Sequence, residues 1–125
     1  MTAAIQIVFR DLPASATLEE SIRRKADRLF RLHKDITSCR ITVEKPPAHH
    51  HKGGHYHIRV DLHLPGAELT AGRDAAEDKA HENPYVAARD AFRAAKRMLQ
   101  DHVRKHREHR HHGGVDLLAE RLAPT

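Results

Sequence analysis

The sequence is poor in cysteine, aromatic residues and long apolar runs, and each scarcity excludes a class of protein. Cys39 is the only cysteine, so an intrachain disulfide is impossible and a reducing compartment is favoured. No apolar run approaches the roughly 20 residues that cross a bilayer. Residues 1–5 lack the basic segment and apolar run of a secretory signal. We therefore expect a soluble, cytoplasmic protein without a membrane partner.

The scarcity of aromatic residues fixes the chemistry of the core. The 125-residue chain has no tryptophan and three phenylalanines, so its core must rest mainly on isoleucine, leucine, valine and alanine. A chain of this length is large enough for one such core.

Catalytic patterns are also missing. The pairs Gly53-Gly54 and Gly113-Gly114 lack the flanking residues of a phosphate-binding loop, and no nucleophile elbow is present. Cys39 falls on the apolar side of a predicted strand, which favours a core position over a nucleophile. We predict that the protein is not an enzyme and has neither a cofactor nor a small-molecule substrate.

Positive charge is abundant by contrast. Lysine and arginine number 22 against 17 acidic residues, which gives a formal net charge of +5, and 13 histidines add charge below neutral pH. Clustered cations attract phosphate through a field that does not depend on sequence. The composition therefore predicts an anionic partner, although charge alone does not distinguish nucleic acid from an acidic membrane.

Alternating apolar residues predict strands at residues 3–10 and 38–45, a third strand carrying Tyr56 to Leu64, and a short fourth strand at 67–73. A capping box at Thr17 and Glu20 predicts a helix over 18–33. Asn83 and Pro84 begin a second helix that we expect to end near Lys105. Composition predicts loops at 46–54 and 74–82 and a short amphipathic helix at 115–122.

The third strand is apolar on one side and polar on the other, with histidines and charges on the polar side. This two-sided pattern is typical of a sheet with one face in water. We therefore predict an α+β fold: a two-layer β-α-β-β-β-α sandwich in which a four-stranded sheet carries both helices on one face.

On a helical wheel, the second helix separates its charges by sign. The basic residues Arg89, Arg93, Lys96, Arg97 and Arg104 form a stripe beside the apolar sector, and the acids Asp90 and Asp101 fall beyond it. A helix adapted only for solubility would intersperse both signs to form (i, i+4) pairs. This stripe predicts contact with phosphate, for which the planar arginine fork is suited. The first helix is more mixed, and by itself a solvated face is the favoured interpretation.

The histidines raise a metal-binding hypothesis. His55 and His57 share one strand face, while His102 and His106 are one helical turn apart. No cysteine accompanies them, and the zinc-protease His-Glu-x-x-His pattern is absent. We predict no dedicated metal site and expect exposed histidines near phosphate.

Several segments, in this order, resemble the hibernation-promoting factor and ribosome-associated inhibitor family, once called sigma-54 modulation proteins. The most specific are the turn Pro65-Gly66-Ala67-Glu68-Leu69 and the helical segment Tyr85-Val86-Ala87-Ala88-Arg89-Asp90-Ala91-Phe92. The resemblance covers roughly residues 3–107. It departs from the family pattern at Asn83-Pro84-Tyr85 and at Arg97-Met98-Leu99.

The resemblance implies a fold similar to double-stranded RNA-binding domains, in a ribosome-binding domain of residues 1–107. It also implies docking in the small-subunit cleft, contact with rRNA phosphates, and silencing of translation by exclusion of mRNA and tRNA. The rRNA-binding positions are matched here by Arg23, Lys25, Arg28, Arg89, Arg93, Lys96 and Arg97, to which the basic stripe and tail add Arg104 and Lys105.

Residues 108–125 form a histidine-rich basic tail with a short amphipathic end. The tail is too short for the dimerisation domain of the long family form, so we expect the short form and a monomer in solution. Two alternatives remain open: a generic RNA-binding chaperone and a histidine-rich metal-binding protein.

Overall fold

The computed structural model describes residues 4–45, 56–72 and 83–120, and beyond Lys105 it describes the backbone alone. The elements follow the predicted order β-α-β-β-β-α. They are β1 Ala4–Arg10, α1 Ala16–Leu32, β2 Ser38–Glu44, β3 His57–Leu64, β4 Ala67–Ala71 and α2 Pro84–Glu120. The predicted loops at 46–54 and 74–82 both lie outside the described residues.

The four strands form one mixed sheet in the order β1-β2-β3-β4. β1 and β2 run parallel, and the other two neighbouring pairs run antiparallel. Parallel neighbours require a crossover connection, and α1 supplies it. The predicted turn at Pro65 and Gly66 joins β3 to β4, with Gly66 at a positive φ of 77°.

The core lies between one face of the sheet and the two helices. Strand register places Ile7, Ile41 and Val60 in one row across β1, β2 and β3, and the last two are fully buried. The helices pack against each other and against this face. The predicted two-layer α+β sandwich with both helices on one face is confirmed.

Helix α1 buries the apolar stripe that the sequence predicts: Leu18, Ile22, Ala26 and Leu29. The predicted cap was wrong. Ser15 is the N-cap, and its hydroxyl accepts a hydrogen bond of 3.3 Å from the amide of Leu18. Thr17 lies inside the helix, where its hydroxyl accepts a 3.1 Å hydrogen bond from Tyr85 of α2. Both residues suit a cap by composition, and only the position of the first turn distinguishes them.

Helix α2 begins as predicted. The side chain of Asn83 accepts a 2.9 Å hydrogen bond from the amide of Tyr85, and Pro84 occupies the first helical position, where its missing N–H costs nothing. The predicted end near Lys105 was wrong, because the helix continues to Glu120. A helical segment without an apolar stripe has no periodicity for the sequence to reveal. No helix in the described ranges is long and apolar enough to cross a bilayer.

Candidate nucleic-acid interface

The flanks of the two helices that face away from the sheet enclose an open groove of about 270 Å³. Lys25, Arg28 and Leu32 are spaced at (i, i+3) and (i, i+7) on α1, so they share one flank. Arg89, Arg93 and Lys96 have the equivalent spacing on α2. We call this groove with its five cations the helical basic groove; it is lined by Lys25, Arg28, Leu29, Leu32, Arg89, Phe92, Arg93 and Lys96.

The five cations come from two helices, and their mutual repulsion acts on Lys25. Burial lowers the pKa of Lys25, and three neighbouring guanidinium groups lower it further: Arg28, Arg89 and Arg93. None of the described residues that line the groove is acidic. An anion in the groove would relieve this repulsion, since opposite charge favours the protonated form of lysine.

The positive charge of the groove also acts on His33, which does not line it. It is the C-cap residue of α1. Burial lowers its pKa, the charge of Lys96 on α2 lowers it further, and Asp35 opposes the shift. The sequence did not indicate His33 as a site residue, because only the packing of α1 on α2 brings it near Lys96.

Three predicted site residues are engaged in ion pairs. Arg23 pairs with Glu19, and Arg104 with Asp101, each at 3.2 Å. Arg89 contacts Asp90 at 3.2 Å while it also lines the groove. The two acids that fall beyond the basic stripe on the helical wheel therefore still reach two of its cations, Arg89 and Arg104. Helical wheels assign a sector to each Cβ, whereas long side chains reach an acid in the adjacent sector.

Two further predicted residues lie outside the groove. Arg97 and Lys105 are exposed on α2 but do not line it. The structure thus brings together Lys25, Arg28, Arg89, Arg93 and Lys96, and leaves Arg23, Arg97, Arg104 and Lys105 at its borders or farther along the helices.

The groove also has an apolar floor that the sequence did not predict as part of a site. Phe92 and Leu29 are nearly buried there, while Leu32 leaves 55% of its surface exposed. Leu32 is three residues after Leu29, at the edge of the buried stripe, and this offset was the available signal. A cationic groove with apolar patches can contact both phosphates and the sugar or base surfaces between them.

Comparison with known families identifies the chain. Residues 5–107 match the family described as Sigma 54 modulation protein / S30EA ribosomal protein. The chain belongs to this family. The match covers most of the sequence, and it confirms the resemblance that the ordered segments indicated.

Two solved structures share the fold of this S30EA-family chain. A ribosomal subunit interface protein from Coxiella burnetii has 15% identity and a TM-score of 0.64, over 79% of this chain and 96% of that one. The N-terminal domain of Protein Y from Thermus thermophilus has 13% identity and a TM-score of 0.53, over 80% and 98%. Comparison with curated protein sequences gave no match. At these identities, the two structures support the fold.

Other candidate chemistry of this S30EA-family chain has little support. Cys39 is buried, and burial followed by the charge of Asp61 raises the pKa of its thiol to about 12, so the predicted core position is confirmed. Within the described residues, no group of three or more histidine, cysteine or acidic side chains could hold a metal. His55 and the side chain of His106 fall outside that part.

Proposed function

We propose that this protein binds the small ribosomal subunit through the helical basic groove, in the cleft between head and body, and blocks the sites of mRNA and tRNA. The family is ribosome-associated, and a cytoplasmic location follows from that association. The structural neighbour from Coxiella is itself described as a ribosomal subunit interface protein.

The observation that carries the proposal is the convergence of five cations from two helices on one groove that no acid among the described residues lines. Such an array is costly unless an anion is present: burial lowers the pKa of Lys25, and the charges of Arg28, Arg89 and Arg93 lower that pKa further. The phosphate backbone of folded rRNA supplies several anions at fixed spacing, and a rigid pair of helices can match them. Recognition by shape and charge requires no catalytic group.

The first test is sedimentation of the purified protein with separated ribosomal subunits at low and high salt. We expect pelleting with the small subunit at low salt, loss at high salt, and competition by mRNA together with tRNA. Pelleting that mRNA and tRNA fail to reduce would contradict the cleft and favour a generic RNA-binding chaperone.

A pair of double variants tests the groove. Arg93→Glu with Lys96→Glu reverses two groove cations, and we expect about a hundredfold weaker binding, roughly tenfold for each lost phosphate contact. Arg24→Glu with Arg40→Glu changes the net charge equally at residues outside the groove and should bind within about threefold of wild type. Circular dichroism establishes that both fold. If both folded variants lost affinity equally, binding would depend only on net charge, and the helical basic groove would be excluded as the contact surface.

A further inference from the structure

The face of the sheet that carries no helix has a hollow of about 210 Å³ near one end. Strand register places Arg10, Glu44 and His57 in one row across β1, β2 and β3. Thr42 and Arg59 are paired in the next row. The hollow is lined by Arg10, Thr42, Glu44, His57, Arg59 and Gly72.

The depth of the hollow comes from Gly72. This residue follows the end of β4 and has a φ of +92°, and a Cβ at its position would overlap the carbonyl oxygen of Ile58. The backbone of Gly72 therefore lies directly against β3. Any larger residue would push the two segments apart and change the wall of the hollow.

The hydroxyl of Thr42 is the strongest sign of an occupant. Thr42 leaves 6% of its surface exposed, and its Oγ1 is buried without a hydrogen-bond partner among the residues that the structure describes. An unpaired buried hydroxyl costs the fold free energy, and valine would fill the same strand position without that cost. Thr42 lines the polar hollow, so a bound ligand is the candidate partner for its hydroxyl.

The other polar side chains that line the hollow could also contact a ligand. In the described part of the chain, the side chains of Arg10, Glu44 and His57 make no hydrogen bond or ion pair. Arg59 donates from Nε to Asp61 at 3.2 Å, which anchors its guanidinium at the edge of the hollow. The set therefore offers two guanidinium groups, one carboxylate, one imidazole and one hydroxyl.

This mixture of signs identifies the ligand chemistry. A bare phosphate would be attracted by the two arginines but repelled by Glu44, which lies opposite Arg10 in the register of β1 and β2. A planar, neutral ligand with hydrogen-bond donors and acceptors along its edges can accept hydrogen bonds from the arginines and donate hydrogen bonds to Glu44. Guanine offers two acceptors, O6 and N7, that an arginine fork binds with two hydrogen bonds. Its N1–H and N2–H₂ donors suit a carboxylate, and its ring can stack on imidazole or guanidinium.

We propose that the hollow on the open face of the sheet binds a single unstacked guanine base. The source is either a free guanine nucleotide or an unpaired guanosine in RNA. The inference does not rest on the helical basic groove, which lies on the opposite layer of the molecule. The open face of the sheet would then select a base by its hydrogen-bonding groups, which charge attraction alone cannot do.

The test is an NMR titration of the full-length ¹⁵N-labelled protein with guanosine monophosphate, adenosine monophosphate and inorganic phosphate. We expect the guanine nucleotide to shift the amides of Thr42, Arg59 and Gly72 and to bind at least about tenfold tighter than the other two. Equal binding of inorganic phosphate, or no shift at these amides with any guanine probe, would overturn the proposal.

Two variants check the residues. Thr42→Val should raise the Tm, because it removes the unpaired hydroxyl, and weaken guanine binding about tenfold. Glu44→Gln should weaken guanine binding and strengthen phosphate binding. Arg40→Gln is the control on the same sheet face outside the hollow, and it should leave guanine binding unchanged. A folded Thr42→Val and a folded Glu44→Gln that both bind guanine like wild type would refute the site.

A second titration determines whether the guanine comes from a free nucleotide or from RNA. A short single-stranded RNA with one guanosine among adenosines is compared with an all-adenosine strand, in the Arg93→Glu and Lys96→Glu background that weakens the groove. Shifts in the hollow with the guanosine strand and not with the mononucleotide would support a base presented by RNA. Shifts with both would support recognition of guanine from either source.

Discussion

The two outer surfaces of the sandwich carry similar residue types and opposite arrangements. On the helical side, the spacing of cations along α1 and α2 brings five of them to one groove that no described acid lines. On the open side of the sheet, cross-strand register puts opposite signs together: Arg10 is paired with Glu44, and Arg40 with Asp61. Segregated charges create a field that acts on polyanions, whereas mixed charges create a local pattern of donors and acceptors.

Each surface nevertheless contains one group that destabilises the fold. On the helical side it is Lys25, whose pKa is lowered by burial and by its cationic neighbours. On the sheet side it is Thr42, whose hydroxyl finds no hydrogen-bond partner in the described part of the chain; an unpaired buried hydroxyl costs about 1–3 kcal/mol. Both binding proposals start from such a group, which reduces stability without a structural benefit.

Salt should separate the two surfaces most strongly. RNA bound through about five phosphate contacts should lose on the order of 10²–10³-fold in affinity between about 50 and 200 mM salt. Guanosine, which carries no phosphate, should bind the hollow with less than about a twofold change over the same range. Fluorescence anisotropy for RNA and NMR for guanosine measure the two. Similar salt dependence of RNA and guanosine binding would mean that the two surfaces do not differ in how strongly they depend on phosphate charge.

Two glycines allow the shape of the sheet surface to be tested. Gly72→Ala forces both a positive φ and an overlap with the backbone of β3, and should cost about 3 kcal/mol or more in the free energy of unfolding. Gly66→Ala imposes a positive φ in open space, and should cost about 1 kcal/mol. Urea denaturation measures both. If Gly72→Ala were no worse than Gly66→Ala, the close approach that shapes the hollow would be absent.

The smallest effect concerns the pH dependence of the helical surface. Because the pKa of Lys25 is lowered on folding, the folded state binds fewer protons than the unfolded state between that pKa and the ordinary value of 10.5. Stability should therefore rise with pH through this window. Lys25→Met should remove the rise, increase the Tm slightly at neutral pH and weaken RNA binding.

Thermal unfolding measured by circular dichroism at several pH values checks this, with Lys34→Met as the control on an exposed residue outside the groove. A Lys25→Met protein that bound RNA as well as wild type would exclude Lys25 from the contact. Its stability change would then report only the repulsion among the cations.

Much of the fold follows from local patterns. The alternation in β2 and β3 and the stripe of α1 are produced by burial on one side, so the sequence predicts them. The cap of α1 was assigned to Thr17 instead of Ser15, because two capable residues lie within one turn. The end of α2 was missed because residues 106–112 are polar and have no apolar stripe, so the sequence did not join the amphipathic helix predicted at 115–122 to α2.

Less of the candidate site was accessible from sequence. The basic stripe of α2 predicted Arg93 and Lys96, and the family resemblance added Lys25. Neither indicated that Leu32 and Phe92 lie between these cations, that Asp101 pairs with Arg104, or that Thr42 is buried on the open face of the sheet. Each of these depends on contacts between elements or on the reach of long side chains.

The sequence by itself determined the element order, the apolar faces and the excess of positive charge, because these depend on spacing along one chain. Tertiary structure decided which cations meet, which are paired, and where a hollow forms, because these depend on how α1 packs on α2 and how the strands align. Charge along a helix can be read from its spacing, whereas the field of a groove depends on a distance between two helices that no local pattern specifies.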